Sequence, residues 1–311
     1  MIIGVGKSQQ GVALLTVLLV TALMTVLVLS MSWSRQLEIR RTANLAESDQ
    51  AQLLALGLEE WGGKVLRRDR GDNDRDHFGE IWAQGLPPTT VEQGMVAGRI
   101  IDLQGRLNLN NLVAGDAATS VLAERRLGRL LEMCGGTSET VAAIGDWLDK
   151  DGEMRPNGAE DRVYLVRQPP YRTGNRPMAS PSELLLVAGI TPEIYACLAE
   201  AVTALPGTTP LNVNTASPLA LAALSDRLTQ ARAAQLVKER PSGGYKDLAE
   251  FLAAPPLAGT GLTGEGLALA SGHFMVEGQV LFGHAETTLH SILHRSDTGS
   301  ITVIARNFNT Y

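Results

Sequence analysis

The chain has 311 residues, a formal net charge of −6 at neutral pH and an aromatic fraction of 5%. Its length allows two or three domains, and the acidic totals show none of the basic excess that a dedicated nucleic-acid binder carries. Two cysteines, Cys134 and Cys197, are too few for a secretory disulfide framework; they are one bridge or two buried thiols.

From Val12 to Met31 there is no charge, no Pro and no Gly, and the only polar residues are Thr16, Thr21, Thr25 and Ser30. Hydroxyls of this kind can bond back to a helical carbonyl. At ~1.5 Å per residue the run is about 30 Å long, enough to cross a hydrocarbon core. A cleaved secretory signal has an apolar core of only ~7–15 residues and a small-residue cleavage site. Ser30-Met31-Ser32-Trp33-Ser34 is a poor one. A plain single-span anchor is the second reading. The third is a retained helix behind a short leader, because Met1 to Gly11 ends in Gly and the apolar run starts at the next residue. Basic residues flank the run on both sides, Lys7 before it and Arg35, Arg40 and Arg41 after it. Counting them alone places the carboxyl-terminal side in the cytoplasm.

Residues 32–69 contain no Pro, and Leu37, Leu45, Leu53, Leu56, Trp61, Val65 and Leu66 recur at helical spacing. The spacing predicts that the apolar helix continues as an amphipathic stem. Gly57, Gly62 and Gly63 oppose this, at ~1 kcal/mol each relative to Ala. Arg70 to Asp76 reads as a solvated charged loop, including its Arg-Gly-Asp triplet. Strands follow at Arg99–Leu103 and, after a Gln104-Gly105 turn, at Arg106–Asn110, where Leu and Asn alternate.

Between about Leu112 and Leu269 the chain turns Ala- and Leu-rich. Helical spacing covers Ser120–Met133, Ser138–Leu148, Ser182–Ala188, Pro192–Ala204, Pro218–Leu224, Thr229–Glu239 and Tyr245–Ala253, with Ser138 and Thr191 as N-caps. Alternation then returns in His273–Leu281, Glu286–His294 and Ser300–Phe308, an antiparallel meander. The fold class is therefore α+β: a long N-terminal helix and a small antiparallel sheet split by a large all-α insertion.

Several motifs carry a resemblance to a known family. They are Asp102-Leu-Gln-Gly-Arg-Leu-Asn-Leu-Asn-Asn-Leu112, Asp146-Trp-Leu-Asp149, Gly158-Ala-Glu-Asp161, Pro170-Tyr-Arg172, Asn175-Arg176-Pro177, Ser182-Glu-Leu184 and Leu211-Asn-Val-Asn-Thr-Ala216. Together with the Gly11–Val12 junction, and in this order, they resemble the K-type minor pseudopilins (GspK) of type II secretion systems over nearly the whole chain. The resemblance implies a pilin-like fold and a class III leader, cut after Gly11 by prepilin peptidase, with methylation of the new terminus at Val12. It also implies a single-pass inner-membrane protein with its carboxyl-terminal domain in the periplasm, opposite to the basic-residue count. Pilins usually carry Glu at the fifth mature position, where this chain has Thr16. A carboxylate in lipid is costly unless paired, and within the family its absence marks the K subunit at the pseudopilus tip. Implied partners are the I- and J-type minor pseudopilins, through the stem helices, with no catalysis. The implied divisions are leader 1–11, membrane segment 12–31, stem 32–69, first pseudopilin part 70–111, helical insertion 112–209, a second helical module 210–269 resembling SAM or helix-hairpin-helix domains, and closing strands 270–311.

The stretch Asp149-Lys-Asp151-Gly-Glu153-Met-Arg-Pro-Asn157-Gly-Ala-Glu160-Asp161 is the most specific candidate site. With Asp149 as position one of a calcium loop, Asp151, Glu153 and Glu160 fall at three, five and twelve. Met154 replaces the usual Gly and Pro156 sits inside, so this is an oxygen-rich loop and not an EF-hand. A solvated acidic turn fits the spacing as well. The family resemblance implies structural calcium in this region, held by Asp149, Asp151, Glu153, Glu160 and Asp161, with Asp146 in reserve. The 210–269 module suggests a DNA-uptake helix-hairpin-helix as the alternative, but its hairpin, Leu224 to Thr229, lacks Gly and adds Asp226. That favours a structural module and no nucleic-acid partner. Gly4-Val-Gly6-Lys7-Ser8 lacks the preceding strand of a phosphate loop, and His290 and His294 sit in strand context without a zinc motif.

Overall fold

The computed structural model describes residues 10–309. The leader expected at 1–11, and the Gly4–Ser8 run with it, lies outside the described residues except for its last two positions. Helix α1 runs unbroken from Gln10 to Asp72, 63 residues and so ~95 Å. Its first half is exposed, and it includes a window of mean hydropathy 2.8, long and apolar enough to cross a membrane. The hydroxyls there do bond back along the helix, Thr16 to the Ala13 carbonyl at 2.9 Å and Thr25 to that of Thr21 at 2.7 Å. Gly11 and Val12 both lie in α1.

The lower half of α1 packs on a sheet through a stripe of small residues. Ala51, Ala55, Leu58, Gly62 and Leu66 are buried. Gly62 is required by close approach: a Cβ there would stand 2.5 Å from a Val276 methyl. The glycine that weakens the helix in isolation is the one that lets it dock. Leu37, Leu45 and Leu53 face outward instead, at 43%, 67% and 60% exposure.

After α1 come α2 (Ile81–Gln84), β1 (Leu86–Val91) and β2 (Gly94–Asp102). The chain then leaves the sheet through β3 (Leu107–Asn108), a 3-10 turn at Leu109–Val113, α3 (Ala117–Met133), α4 (Thr140–Leu148) and α5 (Asp161–Tyr164). A 3-10 turn at Pro181–Leu186 leads to α6 (Pro192–Leu198), β4 (Val202–Thr203), β5 (Leu211–Asn212), α7 (Pro218–Ala222), α8 (Gln230–Lys238), α9 (Leu248–Leu252) and β6 (Leu267–Ala268). The meander β7 (His273–Phe282), β8 (Ala285–Arg295) and β9 (Ile301–Phe308) closes the sheet in the order β1-β2-β7-β8-β9. Strands β2 and β7 pair antiparallel without a break from Gly94↔Phe282 to Asp102↔Phe274. The helical part is therefore an insertion between two adjacent strands.

Four expectations are corrected. Arg106–Asn110 is no strand beyond Leu107–Asn108, because Asn108 and Asn110 turn inward to bind other loops. Strand β1 was not legible because it holds Pro87 and Pro88; it sits at the sheet edge, where a missing N–H is tolerated. Several helices are shorter, and Pro192–Ala204 stops at Leu198 and continues as strand β4. Thr191 does cap α6, accepting from the Ile194 N–H, but α4 begins after Glu139 with no side-chain cap, so Ser138 is not its cap.

The fourth concerns the charged break. Arg70 remains helical, and Asp76 is fully buried against Arg295 of β8. The Arg295 guanidinium, itself buried, reaches Asp69 at 2.9 Å and Asp76 at 2.6 Å, and donates to the Ser271 carbonyl at 3.0 Å. It also lies over the Phe274 ring at 4.8 Å. Glu80 closes the group, accepting from Trp82 Nε1 and Asn73 at 2.6 Å each. Burial, aided by repulsion from Glu80, raises the Asp69 carboxyl to about 6.

Candidate functional site

Asp146 sits in the last turn of α4, a helix apolar on almost every face, and is fully buried. The loop that follows doubles back onto it. The backbone N–H of Arg155 points at both Asp146 oxygens, 3.3 and 3.4 Å away. A Cβ at Gly158 would stand 1.9 Å from Asp146 Oδ2, so only Gly lets the loop pass this close. Asp149 is the residue that ends α4, and its Oδ2 accepts from Arg155 Nη2 at 3.0 Å. Glu160 is 4% exposed, with Oε2 accepting from Thr173 at 3.1 Å. Asp149 Oδ1 and Glu160 Oε1 are buried and have no hydrogen-bond partner.

Electrostatics agree with the geometry. The carboxyls of Asp146, Asp149 and Glu160 are all raised, first by burial; repulsion from Asp151 adds to it at Asp146, from Asp151 and Asp146 at Asp149, and from Asp146 and Asp149 at Glu160. One guanidinium, Arg155, opposes them. Of the five residues expected from the sequence, the fold gathers Asp149, Asp151 and Glu160 around Asp146. Glu153 is exposed, and its N–H bonds the Asp151 carboxylate at 2.9 Å. Asp161 turns to Thr173, accepting at 3.0 and 2.8 Å, and those bonds lower its carboxyl. Asp146, in reserve from the sequence, is at the centre; an aspartate inside an otherwise apolar helix was its signal. Arg155 and Thr173 carried no signal.

In kind, these donors suit a hard cation: carboxylate oxygens on and beside a loop, two of them buried without partners. They do not close on one point. Among the described residues, the three carboxylates whose oxygens do lie within 4.8 Å of one another are Asp69, Asp76 and Glu80, and there Arg295 is already the counter-charge.

The asparagine-rich motifs form the joint that holds the insertion on the sheet. Asp102, the last residue of β2, accepts from Gln104 N–H, Asn212, Thr215 and Ser271 at 2.6–3.0 Å, and burial raises its carboxyl to about 6. Asn108 and Asn110 reach the Leu205 backbone, Asn110 also binds both backbone groups of Met178, and Asn214 receives the Tyr245 N–H at 2.7 Å. Buried backbone groups need partners, and here side-chain amides supply them across loops distant in sequence.

In the 210–269 module the arginines serve the module itself. Arg232 donates to the Ala258 carbonyl and Arg240 to that of Ala216, each at 2.7 Å, and Arg227 reaches the Gly259 carbonyl at 3.5 Å. A nucleic-acid surface would present such groups to phosphate. His290 and His294 are half-buried on β8, as expected.

Comparison with known proteins agrees. Models described as "Type II secretion system (T2SS), protein K" match residues 105–207 and 211–270. The chain is 36% identical to type II secretion system protein K of Pseudomonas aeruginosa, over 97% of this chain and 93% of that protein. It is 35% identical to protein K of Klebsiella pneumoniae, over 97% of each. Among solved structures, a chain of the GspK–GspI–GspJ complex from enterotoxigenic Escherichia coli superposes with a TM-score of 0.78 at 26% identity, covering 87% of this chain and all of that one. With the stem helix, the split sheet and the inserted helical region all in place, the chain belongs to the type II secretion system protein K family of minor pseudopilins.

Proposed function

We propose that this protein sits at the tip of the pseudopilus, capping or initiating it in a complex with I- and J-type minor pseudopilins, and has no catalytic role. The observation that carries the reading is the match to a chain of the GspK–GspI–GspJ complex over 87% of this chain. The outward Leu37, Leu45 and Leu53 leave apolar side chains on the stem for neighbouring stem helices to cover. Residues 12–31 anchor it in the inner membrane, with the remainder in the periplasm. The Cys134–Cys197 bridge supports that side, since disulfides persist in oxidising compartments.

Maturation follows the pilin route, with prepilin peptidase cutting between Gly11 and Val12. Mass spectrometry of protein from cells with the peptidase is expected to find a methylated Val12 terminus, absent from peptidase-deficient cells. An uncut terminus in both would reduce α1 to an ordinary anchor.

Calcium is the expected structural ion of the loop, held by Asp146, Asp149, Asp151 and Glu160, with Glu153 and Asp161 completing the candidate set. It would add positive charge to carboxylates that Arg155 alone opposes. Bound at ~100 times its dissociation constant, such an ion stabilises the fold by ~2.7 kcal/mol. Chelator is therefore expected to lower the melting temperature by several degrees, and the double variant Asp149→Asn, Glu160→Gln to abolish that difference. Superimposed melting curves with calcium and with chelator would remove calcium from the account.

A further inference from the structure

Where the two matched segments meet, residues drawn from 106–127 and 208–211 line, with Glu265 and Gly266, a partly open cavity of about 160 Å³. We propose that this cavity binds a small organic monocarboxylate with an apolar body of about six carbons. An apolar cavity of ~150 Å³ is large enough for benzene, so the space sets the size of the body. Its inner wall is buried leucine, from Leu109, Leu112, Leu127 and Leu211.

The charge of the site sets the ligand's sign. Arg126 is 6% exposed and makes no hydrogen bond or close ion pair with a carboxylate among the described residues, though it feels the charge of Glu265. Two of its nitrogens donate to the carbonyls of Gly266 and Glu265, at 3.3 and 2.7 Å, and its Nε is buried with no partner. Thr209 Oγ1, on the same lining, is likewise buried and unpartnered. Arg106, half-buried on the lining, has a guanidinium with no hydrogen bond or ion pair among the described residues. Glu265, the one acidic residue of the lining, is exposed at the rim. Burial draws Arg126 down to about 10 against the pull of the Glu265 carboxylate, and a bound anion would add to that pull. Two guanidinium groups and a hydroxyl suit the two oxygens of a carboxylate. The leucine wall disfavours a dianion or a polar body.

The test uses the full-length protein in detergent, with benzoate as the probe and benzamide as its neutral isostere, followed by saturation-transfer NMR. Benzoate is expected to bind at least ~10-fold more tightly than benzamide, because only the anion is paired by arginine. Arg106→Gln is expected to weaken benzoate about 10-fold, and Thr209→Val by a few-fold. Neither residue's side chain has a partner to lose, so both variants keep the fold. Ala123→Phe, which fills the cavity, is expected to abolish binding. A chain terminus carries the same chemistry as a free acid. A tetrapeptide ending in Phe that displaces benzoate identifies a polypeptide source, and failure to displace it a free acid. No benzoate binding at ~20 mM, equal binding of benzamide, or undiminished binding by Arg106→Gln overturns the proposal.

Discussion

Replacing Arg295 by Met is expected to destabilise the protein by about 3–5 kcal/mol, because it leaves buried carboxylates without their counter-charge. Met keeps much of the volume and the contact with Phe274, so the loss reports charge and not a cavity. Asp76 is 0% exposed and Asp69 9% exposed, so neither can rehydrate without opening the junction of α1 and β8. The pH dependence separates this cause from simple misfolding. Burial raises Asp69 from 3.8 to about 6, so between those values the folded chain binds more protons than the unfolded one. Stability from this group therefore falls as pH rises through that window, and is greatest below it. Asp102, also raised to about 6, acts in the same sense. Without Arg295 the carboxyls rise further, and the deficit of the variant should shrink as pH falls from 7 to 5. Urea denaturation followed by Trp fluorescence reads both. A deficit below ~1 kcal/mol, or one independent of pH, would contradict the assignment.

Removing the disulfide is expected to cost about 4 kcal/mol, from the chain entropy of its loop. Cys134 ends α3 and Cys197 lies in α6, 63 residues apart, with Cα atoms separated by 5.6 Å. The loop so closed contains α4, the acidic loop, α5 and the 3-10 turn at Pro181–Leu186. Unbridged, this segment is held to α3 by the core that Trp147 and Tyr164 share with Leu130 and Leu131 and by the Arg155–Glu124 ion pair at 3.7 Å. The double variant Cys134→Ser, Cys197→Ser should unfold at lower urea, and reducing agent should bring the wild type to the same midpoint. Unchanged midpoints in both would show that the bridge constrains nothing.

What the sequence revealed followed the range of the interactions. The apolar run, the stem and the closing strands depend on local periodicity and were legible residue by residue. The Thr191 cap was legible for the same reason. The most consequential misreadings involve partners far along the chain. Leu107 to Asn110 alternates like a half-buried strand, yet its asparagines face inward to serve Leu205 and Met178. Asp76 looked solvated because Arg295, 219 residues away, left no local mark. Gly62 read as a defect because Val276, the residue it admits, lies on a distant strand. In the acidic loop the carboxylate spacing was visible, but burial was not. That is why Asp146 rather than Glu153 emerges at its centre.

The most direct test of the account is assembly. The full-length protein, co-expressed with I- and J-type minor pseudopilins and extracted in detergent, is expected to give a single three-subunit complex by native mass spectrometry. Leu45→Arg with Leu53→Arg, on the exposed stem face, is expected to release this subunit while leaving its own melting temperature unchanged. A protein that remains alone beside its partners, or a complex indifferent to those two substitutions, would contradict it.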